Sequence, residues 1–222
     1  SLTRASVQRA NGRYLVSGQG FGCVSDVIAN LWGSENTLMA MLERPATIRH
    51  FTQQLVDISK TLYDQVHAIT ASHQEGSFDW LHLWAPGTMW TLQSDLCCMV
   101  SPALFADHIL DELRQEAEHV DYSFYHLDGP GAIQHLDAIL SIQALDGIQW
   151  VPGAGASQDP LDWIPLFRRI QKAGKKLFIY CWPARIRPLL DRISKQGVCL
   201  VIHCGDQDAA EDVLHTLDRI GA

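Results

Sequence analysis

The sequence predicts an α/β fold of the TIM-type (β/α) barrel class, and three patterns lead to that prediction. Short apolar runs alternate with longer amphipathic stretches, which is typical of parallel strands joined by crossover helices. The runs are apolar on both sides of the chain, as in strands covered on both faces. From Ser123 onward a new run begins about every 25 residues, which is close to the spacing of barrel units.

About six strands are predicted, at Tyr14–Ser17, Trp80–Trp84, Ser123–His126, Gly147–Val151, Lys176–Cys181 and Cys199–His203. A complete barrel of this class has eight β/α units, so the count indicates an incomplete barrel. We therefore expect residues 1–222 to form a single (β/α) barrel domain whose first two units lie upstream of Ser1. The alternative is a sheet that stays open until a partner covers its edges.

The helices between these strands are predicted from periodicity and from residues typical of helix ends. After Pro45, apolar residues recur at spacings of three and four along one long helix: Ile48, Phe51, Leu55, Ile58, Leu62 and Val66. Ser101 followed by Pro102 is typical of an N-cap and a first helical turn. Further helices are expected over residues 162–173, 184–195 and 208–220, with Gly174 and Gly197 ending the first two.

The composition is that of a soluble globular protein, with 47% apolar and 19% charged residues, and a cytoplasmic location is the default expectation. No run approaches the roughly 20 apolar residues that a membrane span needs. The formal net charge of -8 argues against nucleic acid as a partner, because a polyanion would be repelled. The six cysteines are scattered through apolar surroundings and are expected to be reduced thiols.

One segment carries a resemblance to a known family. Residues 125–155, YHLDGPGAIQHLDAILSIQALDGIQWVPGAG, resemble the fifth and sixth barrel units of uroporphyrinogen decarboxylase-like proteins. Weaker similarity covers WGSENTLMAMLERPATI, SDLCCMVSPALFADHI and the helix after HCGDQDAAEDVL, so the chain corresponds to the third to eighth units. The superfamily also includes methyltransferases that move a methyl group from a corrinoid protein to a thiol. The resemblance implies a corrinoid protein as a partner and a small-molecule substrate.

The resemblance also implies a candidate metal site at the carboxyl ends of the strands. In the methyltransferase branch, a His-x-Cys strand end and a later cysteine hold zinc. The matching residues here are His126 and Asp128, with Cys204 near the later position. Imidazole, carboxylate and thiolate are all zinc ligands, although a carboxylate in place of a sulfur makes the site harder. The alternatives are that His126 and Asp128 bond a substrate or each other, and that His203 rather than Cys204 faces the barrel mouth.

Asp95 matches an acidic position that the superfamily presents after its fourth strand. Its carboxylate is a candidate for binding a cationic or pyrrolic group, or for acid–base catalysis if burial raises its pKa. The alternative is an aspartate that caps the following helix. The candidate catalytic residues are therefore His126, Asp128 and Asp95.

Candidate substrate-binding residues follow predicted strands on the same rim. Gln149 is expected to read a polar edge of the substrate and Trp150 to supply a flat apolar wall, although packing alone explains a tryptophan there equally well. Trp84 and Trp182 also fall at predicted strand ends, and Gln19 lies in the glycine-rich turn after the first predicted strand. Such a cluster is typical of a site for a large planar or apolar ligand.

Three functions are consistent with these residues. The first is a methyltransferase of the corrinoid and thiol type, with zinc as a candidate metal. The second is a decarboxylase acting on a porphyrinogen-like or other carboxylated substrate, with Asp95 as its key group. The third is a non-catalytic barrel subunit that pairs with a complementary chain or with a second copy, since an open sheet exposes two edges.

Overall fold

The computed structural model of the protein describes residues 1–18, 20 and 22–221. The described chain has an α/β fold with a five-stranded parallel sheet flanked by helices. It divides into two compact units. The first unit contains residues 1–126 and 131–146, and the second contains residues 127–130 and those from Gly147 onward.

Among the described residues, the chain from the N-terminus to Leu140 contains eight α-helices and four β-strands. These are α1 (Leu2–Ala10), α2 (Val24–Trp32), α3 (Ser34–Glu43), α4 (Pro45–Ala71), β1 (Ser77–Phe78), β2 (Trp84–Ala85), β3 (Met89–Leu92), a 3-10 helix (Leu96–Met99), α5 (Pro102–His108), α6 (Leu110–Ala117), β4 (Tyr122–Asp128), α7 (Gly129–Ala132), a 3-10 helix (Ile133–His135) and α8 (Leu136–Leu140). β1 and β2 form a small antiparallel hairpin, and β3 and β4 pair in parallel.

The remaining elements belong to the second unit. These are β5 (Gly147–Val151), a 3-10 helix (Pro160–Trp163), α9 (Ile164–Lys172), β6 (Lys176–Cys181), a 3-10 helix (Pro183–Arg185), α10 (Ile186–Leu190), β7 (Val198–Ile202) and α11 (Gln207–Ile220). β5, β6 and β7 pair in parallel in sequence order, with Gly147 opposite Lys176 and Leu177 opposite Val198. Phe167 and Ile170 of α9 are fully buried, as are Ile148 and Leu177 of the strands.

The long helix predicted after Pro45 is present as α4, but much of its predicted apolar stripe is not the packed face. Phe51, Ile58 and Leu62 are about half exposed, whereas Val56 and Tyr63 are buried. Tyr63 fixes α4 against β3, because its hydroxyl oxygen accepts from Met89 N (2.8 Å) and its hydroxyl donates to Met89 O (2.9 Å). The packed face is therefore chosen by tertiary partners and not by hydrophobicity alone.

The predicted strand Tyr14–Ser17 is wrong, because this segment is irregular. The backbone of Val16 bonds to a side chain instead of a neighbouring strand: its N–H donates to Gln74 Oε1 (2.7 Å) and its carbonyl accepts from Gln74 Nε2 (3.1 Å). One glutamine thus satisfies the groups that a strand partner would otherwise satisfy.

The predicted strand Trp80–Trp84 is also wrong over most of its length. Asp79 accepts hydrogen bonds from Leu81 N (3.0 Å) and Leu83 N (3.2 Å), which closes a turn in which His82 has a φ of 61°. An aspartate that bonds nearby backbone groups favours a turn over a strand. The strand that pairs with β4 is instead Met89–Leu92, which the sequence pattern did not single out.

The other four predicted strands are confirmed as β4, β5, β6 and β7 to within a few residues. Ser101 is confirmed as an N-cap, since its Oγ accepts from Leu104 N (3.3 Å). The helix predicted over residues 184–195 is shorter than expected and ends at Leu190. A complete or partial barrel remains a prediction. Among the described residues, no helix is long and apolar enough to cross a membrane.

Candidate functional site

A cleft of about 250 Å³ opens at the carboxyl ends of the second unit's strands. It is lined by the last residues of β5 and β6, by the segment between β5 and α9, and by the residue that follows β7: Trp150, Val151, Pro152, Gln158, Pro160, Trp163, Phe167, Ile179, Tyr180, Cys181, Trp182 and His203. Ligands of open parallel sheets bind at this edge, because the loops there are free to vary. We call it the Tyr180 cleft.

The floor of the Tyr180 cleft is aromatic. Trp150 is 2% exposed and lies 4.7 Å from Trp163 between ring centroids, with the two rings tilted by 59°. Trp163 is held in turn by its indole N–H, which donates to Ser157 O (2.9 Å). The indole N–H of Trp150 has no hydrogen-bond partner among the described residues. These rings give the cleft a rigid apolar wall suited to the organic part of a small ligand.

The polar side of the Tyr180 cleft is formed by Tyr180 and His203. Strand pairing places Tyr180 opposite Val201, so His203, two residues further on, lies on the same face of the sheet. The two rings are parallel to within 2° at a centroid distance of 6.2 Å. Gln149 Nε2 donates to the Tyr180 hydroxyl oxygen at 3.5 Å, which leaves the hydroxyl proton for another acceptor.

Two further groups lie beside the Tyr180 cleft. Burial and, to a smaller extent, the nearby carboxylate of Asp159 raise the pKa of Cys181 from 9.0 to about 11, so the thiol is protonated at neutral pH. Arg185 Nε donates to Asp159 Oδ2 at 2.8 Å, and this ion pair fixes the segment that carries Gln158 and Pro160. The described residues that line the cleft include no Asp, Glu, Lys or Arg.

The structure groups three of the predicted substrate-binding residues around this cleft. Trp150 and Trp182 line it, and Gln149 bonds to Tyr180. Gln149 is buried and is not itself a lining residue, so its link to the cleft is the hydrogen bond to Tyr180. Trp182 is 47% exposed and forms the open rim.

His126 and Asp128 lie at the carboxyl end of β4, as predicted. His126 meets the ring of Trp80 edge-on, with centroids 5.3 Å apart. Asp128 is exposed, and Oδ1 would lie 3.5 Å from a Cβ placed on Gly153. Gly153 also has a φ of 72°, so a side chain there would be strained and would crowd Asp128.

The predicted metal site was His126, Asp128 and Cys204. Among the residues that the structure describes, no group of three or more His, Cys, Asp or Glu side chains is placed to hold a metal ion. His203 lines the Tyr180 cleft, whereas Cys204 is not among its lining residues. A zinc site formed by these three residues remains a prediction, and no reaction step is assigned to a metal here.

Asp95 is exposed and precedes the 3-10 helix Leu96–Met99 without capping it through its side chain. The cap comes from Asp26, whose carboxylate accepts from Asp95 N (2.9 Å) and Leu96 N (2.8 Å). The position at the carboxyl end of β3 agrees with the predicted loop. Acid–base catalysis by Asp95 remains a prediction.

One predicted residue lies away from the predicted rim, and another falls outside the described residues. Trp84 lies in β2, where its indole N–H donates to Glu75 O (2.9 Å), and it lines a surface hollow with Thr88 and Asp121. Thr88 and Asp121 precede β3 and β4, so Trp84 is near the amino ends of these strands, not at the predicted rim. Gln19 lies outside the described residues.

Sequence reasoning did not select Tyr180, Trp163 or Gln158, and it left His203 as an alternative. Tyr180 is an interior residue of an apolar strand pattern, so nothing in the pattern separates it from core residues. The one available signal was the alternation of faces, which places Tyr180 with Gln149 once β5 and β6 are correctly paired.

Comparison with protein-family models, curated proteins and solved structures found no match to this chain.

Proposed function

We propose that this protein is an enzyme of the uroporphyrinogen decarboxylase-like type that binds a small thiol in the Tyr180 cleft and takes part in methyl transfer between that thiol and a corrinoid. The proposal is supported by one observation. A cleft at the carboxyl ends of parallel strands combines an aromatic floor with two groups able to exchange protons, Tyr180 and His203.

The chain's own residues have defined roles in this proposal. Trp150 and Trp163 bind the organic part of the thiol, since apolar surface favours leaving water. His203 accepts the thiol proton, because imidazole is the side chain best suited to proton exchange near neutral pH. The resulting thiolate is the nucleophile. Gln149 holds the hydroxyl of Tyr180, and the ring of Tyr180 lies parallel to the ring of His203.

A corrinoid would supply or receive the methyl group. Its macrocycle is too large for a cleft of about 250 Å³. The corrinoid would therefore remain on a partner protein and meet the rim formed by Tyr180 and Trp182, which are 42% and 47% exposed.

The test is thiol methylation with methylcobalamin as the methyl donor and a panel of small thiols. We expect His203→Gln to lower kcat/KM by about 10²–10⁴-fold, the range for removing a general base. His215→Gln, an exposed histidine on α11, is the matched control and should leave turnover unchanged. Normal turnover by His203→Gln would exclude the proposed role.

A second candidate reaction is decarboxylation, and the Tyr180 hydroxyl favours it. Loss of CO2 from a carboxylated ring leaves a carbanion that must take a proton, and the Tyr180 hydroxyl, which accepts from Gln149, keeps its own proton to donate. In this case Tyr180→Phe should abolish CO2 release from carboxylated pyrroles, while Tyr14→Phe, an exposed tyrosine, should not. Asp95→Asn tests the predicted part of Asp95 in the same assay.

A further inference from the structure

Two glutamates of α6 are buried in the first unit without a full set of partners. Glu112 is 0% exposed and Glu116, one turn later, is 1% exposed. Oε2 of Glu112 and Oε1 of Glu116 have no hydrogen-bond partner among the described residues. Burial of this kind disfavours the ionised form of a carboxyl group, because protein replaces the water that would solvate the charge.

The charge balance around these glutamates favours protonation. Burial raises the pKa of Glu112 from 4.5 to about 7, and burial together with the charge of Glu112 raises the pKa of Glu116 well above its ordinary value. Asp26, at the start of α2, adds to both shifts. Lys60 of α4 opposes the shift of Glu116. Burial also raises the pKa of Cys23, which therefore remains a thiol.

Glu112 holds the start of α2. The thiol of Cys23 donates to Glu112 Oε1, and the backbone N–H of Ser25 donates to the same oxygen at 3.1 Å. Cys23 is the N-cap residue of α2 but makes no side-chain cap of its own. A carboxyl group from α6 thus satisfies a backbone donor that the first turn of α2 leaves open.

The start of α2 in turn holds the loop that follows β3. Ser25 Oγ lies 3.2 Å from Ser94 Oγ, and the carboxylate of Asp26 accepts from Asp95 N and Leu96 N. A continuous set of hydrogen bonds therefore runs from α6, through the first residues of α2, to the carboxyl end of β3.

We propose that Glu112 and Glu116 form a proton-dependent latch that fixes the start of α2 and the loop after β3. While the pair carries its protons, α6 stays packed on both segments. When the protons are lost, two negative charges one turn apart and close to Asp26 repel each other and draw in water, and the segments are released. The latch goes beyond the proposed function and does not depend on it.

The expected pH dependence follows from proton linkage. The closed latch keeps a proton that the open, solvated Glu112 releases, so opening becomes more favourable as pH rises from about 4.5 to about 7 and then levels off. Each pH unit in this window is worth about tenfold in the opening equilibrium for one group. Between pH 5 and pH 7, ionisation of Glu112 alone should increase opening about 40-fold.

Amide hydrogen exchange of the whole chain, corrected for the intrinsic effect of pH on exchange, measures this opening. The amides of Ser25, Asp95 and Leu96 should lose protection as pH rises, and amides of β6 should not. Glu112→Gln, which cannot ionise, should reduce the pH dependence at these three amides to the part that Glu116 contributes. Glu118→Gln, an exposed glutamate at the end of α6, is the matched control and should behave like the unmodified protein.

Glu116→Gln provides a second variant in case an amide at position 112 prevents folding. It removes one of the two charges and should reduce the pH dependence while leaving the bonds of Ser25 to Glu112 intact. Protection at Ser25, Asp95 and Leu96 that is independent of pH in the unmodified protein would overturn the latch. The latch would also be overturned if both glutamine variants kept the full pH dependence of the unmodified protein.

Discussion

The two units bury different kinds of side chain. Apart from Gln149, the buried polar side chains among the described residues all lie in the first unit, including Asp79, Glu112 and Glu116. In the second unit the buried residues are mainly apolar, and Tyr180 and His203 are exposed at the edge of a cleft. In the first unit, polar side chains hydrogen-bond the backbone of loops, and Glu112 and Glu116 form the proposed proton-dependent latch. In the second unit, Tyr180 and His203 lie where a ligand can reach them.

This contrast has an energetic basis. A buried polar group contributes little net stability when bonded but costs much when its partner is removed. An apolar core depends instead on volume and close packing. Substitutions that remove hydrogen-bond acceptors should therefore harm the first unit most, and substitutions that open cavities should harm the second.

The largest effect is expected in the apolar core of the second unit. Phe167 on α9 is fully buried, so Phe167→Ala should lower the free energy of unfolding by about 3–5 kcal/mol through lost burial and a new cavity. Urea unfolding followed by circular dichroism measures the loss. Leu214→Ala on α11, where the side chain is 60% exposed, should change the free energy by about 0.5 kcal/mol at most. Equal losses in the two variants would contradict the core assignment.

A smaller loss is expected from the polar interior of the first unit. Asp79 is 6% exposed and accepts from Leu81 N, Leu83 N and the Thr91 hydroxyl. Asp79→Ala leaves these three donors without an acceptor and should lower the free energy of unfolding by about 2–3 kcal/mol in the same experiment. Asp79→Asn keeps an oxygen acceptor and should lose less. If Asp79→Ala unfolds like the unmodified protein, buried acceptors do not support this unit.

The smallest effect concerns helix ends, where the two units should not differ. Ser101 caps α5 by accepting from Leu104 N, and Asp206 caps α11 by accepting from Ala209 N (2.9 Å). Ser101→Ala and Asp206→Ala should each cost about 1 kcal/mol. A much larger loss in one unit would show that the contrast extends beyond the interiors to the helix ends.

The sequence predicted the strands that are uninterrupted short apolar runs. β5 and β6 are short apolar runs, and both were placed with the bounds that the structure has. The two wrong strands share a cause, because in each a distant or local side chain, Gln74 or Asp79, bonds the backbone in place of a strand. Apolar periodicity does not report such bonds.

The candidate site likewise contains residues that the sequence predicted and residues that it did not. Trp150 and Trp182 were found because each follows or ends a predictable strand, which is a local property. Tyr180 was not selected and His203 was only an alternative to Cys204, because their meeting depends on the pairing of β6 with β7. Trp84 was misplaced because the strand assigned to it is a turn and a short hairpin.

The sequence by itself determined the α/β class, most parallel strands, the long helix and the residues at strand ends, since these follow from apolar period and helix capping within a few residues. Tertiary structure alone decided which face of α4 is packed and which side chains replace strand partners. It also decided that Tyr180 and His203 line one cleft and that Glu112 and Glu116 are buried together. The physical reason is that burial and hydrogen-bond partners depend on segments far apart in the chain, and local patterns carry no record of register between them.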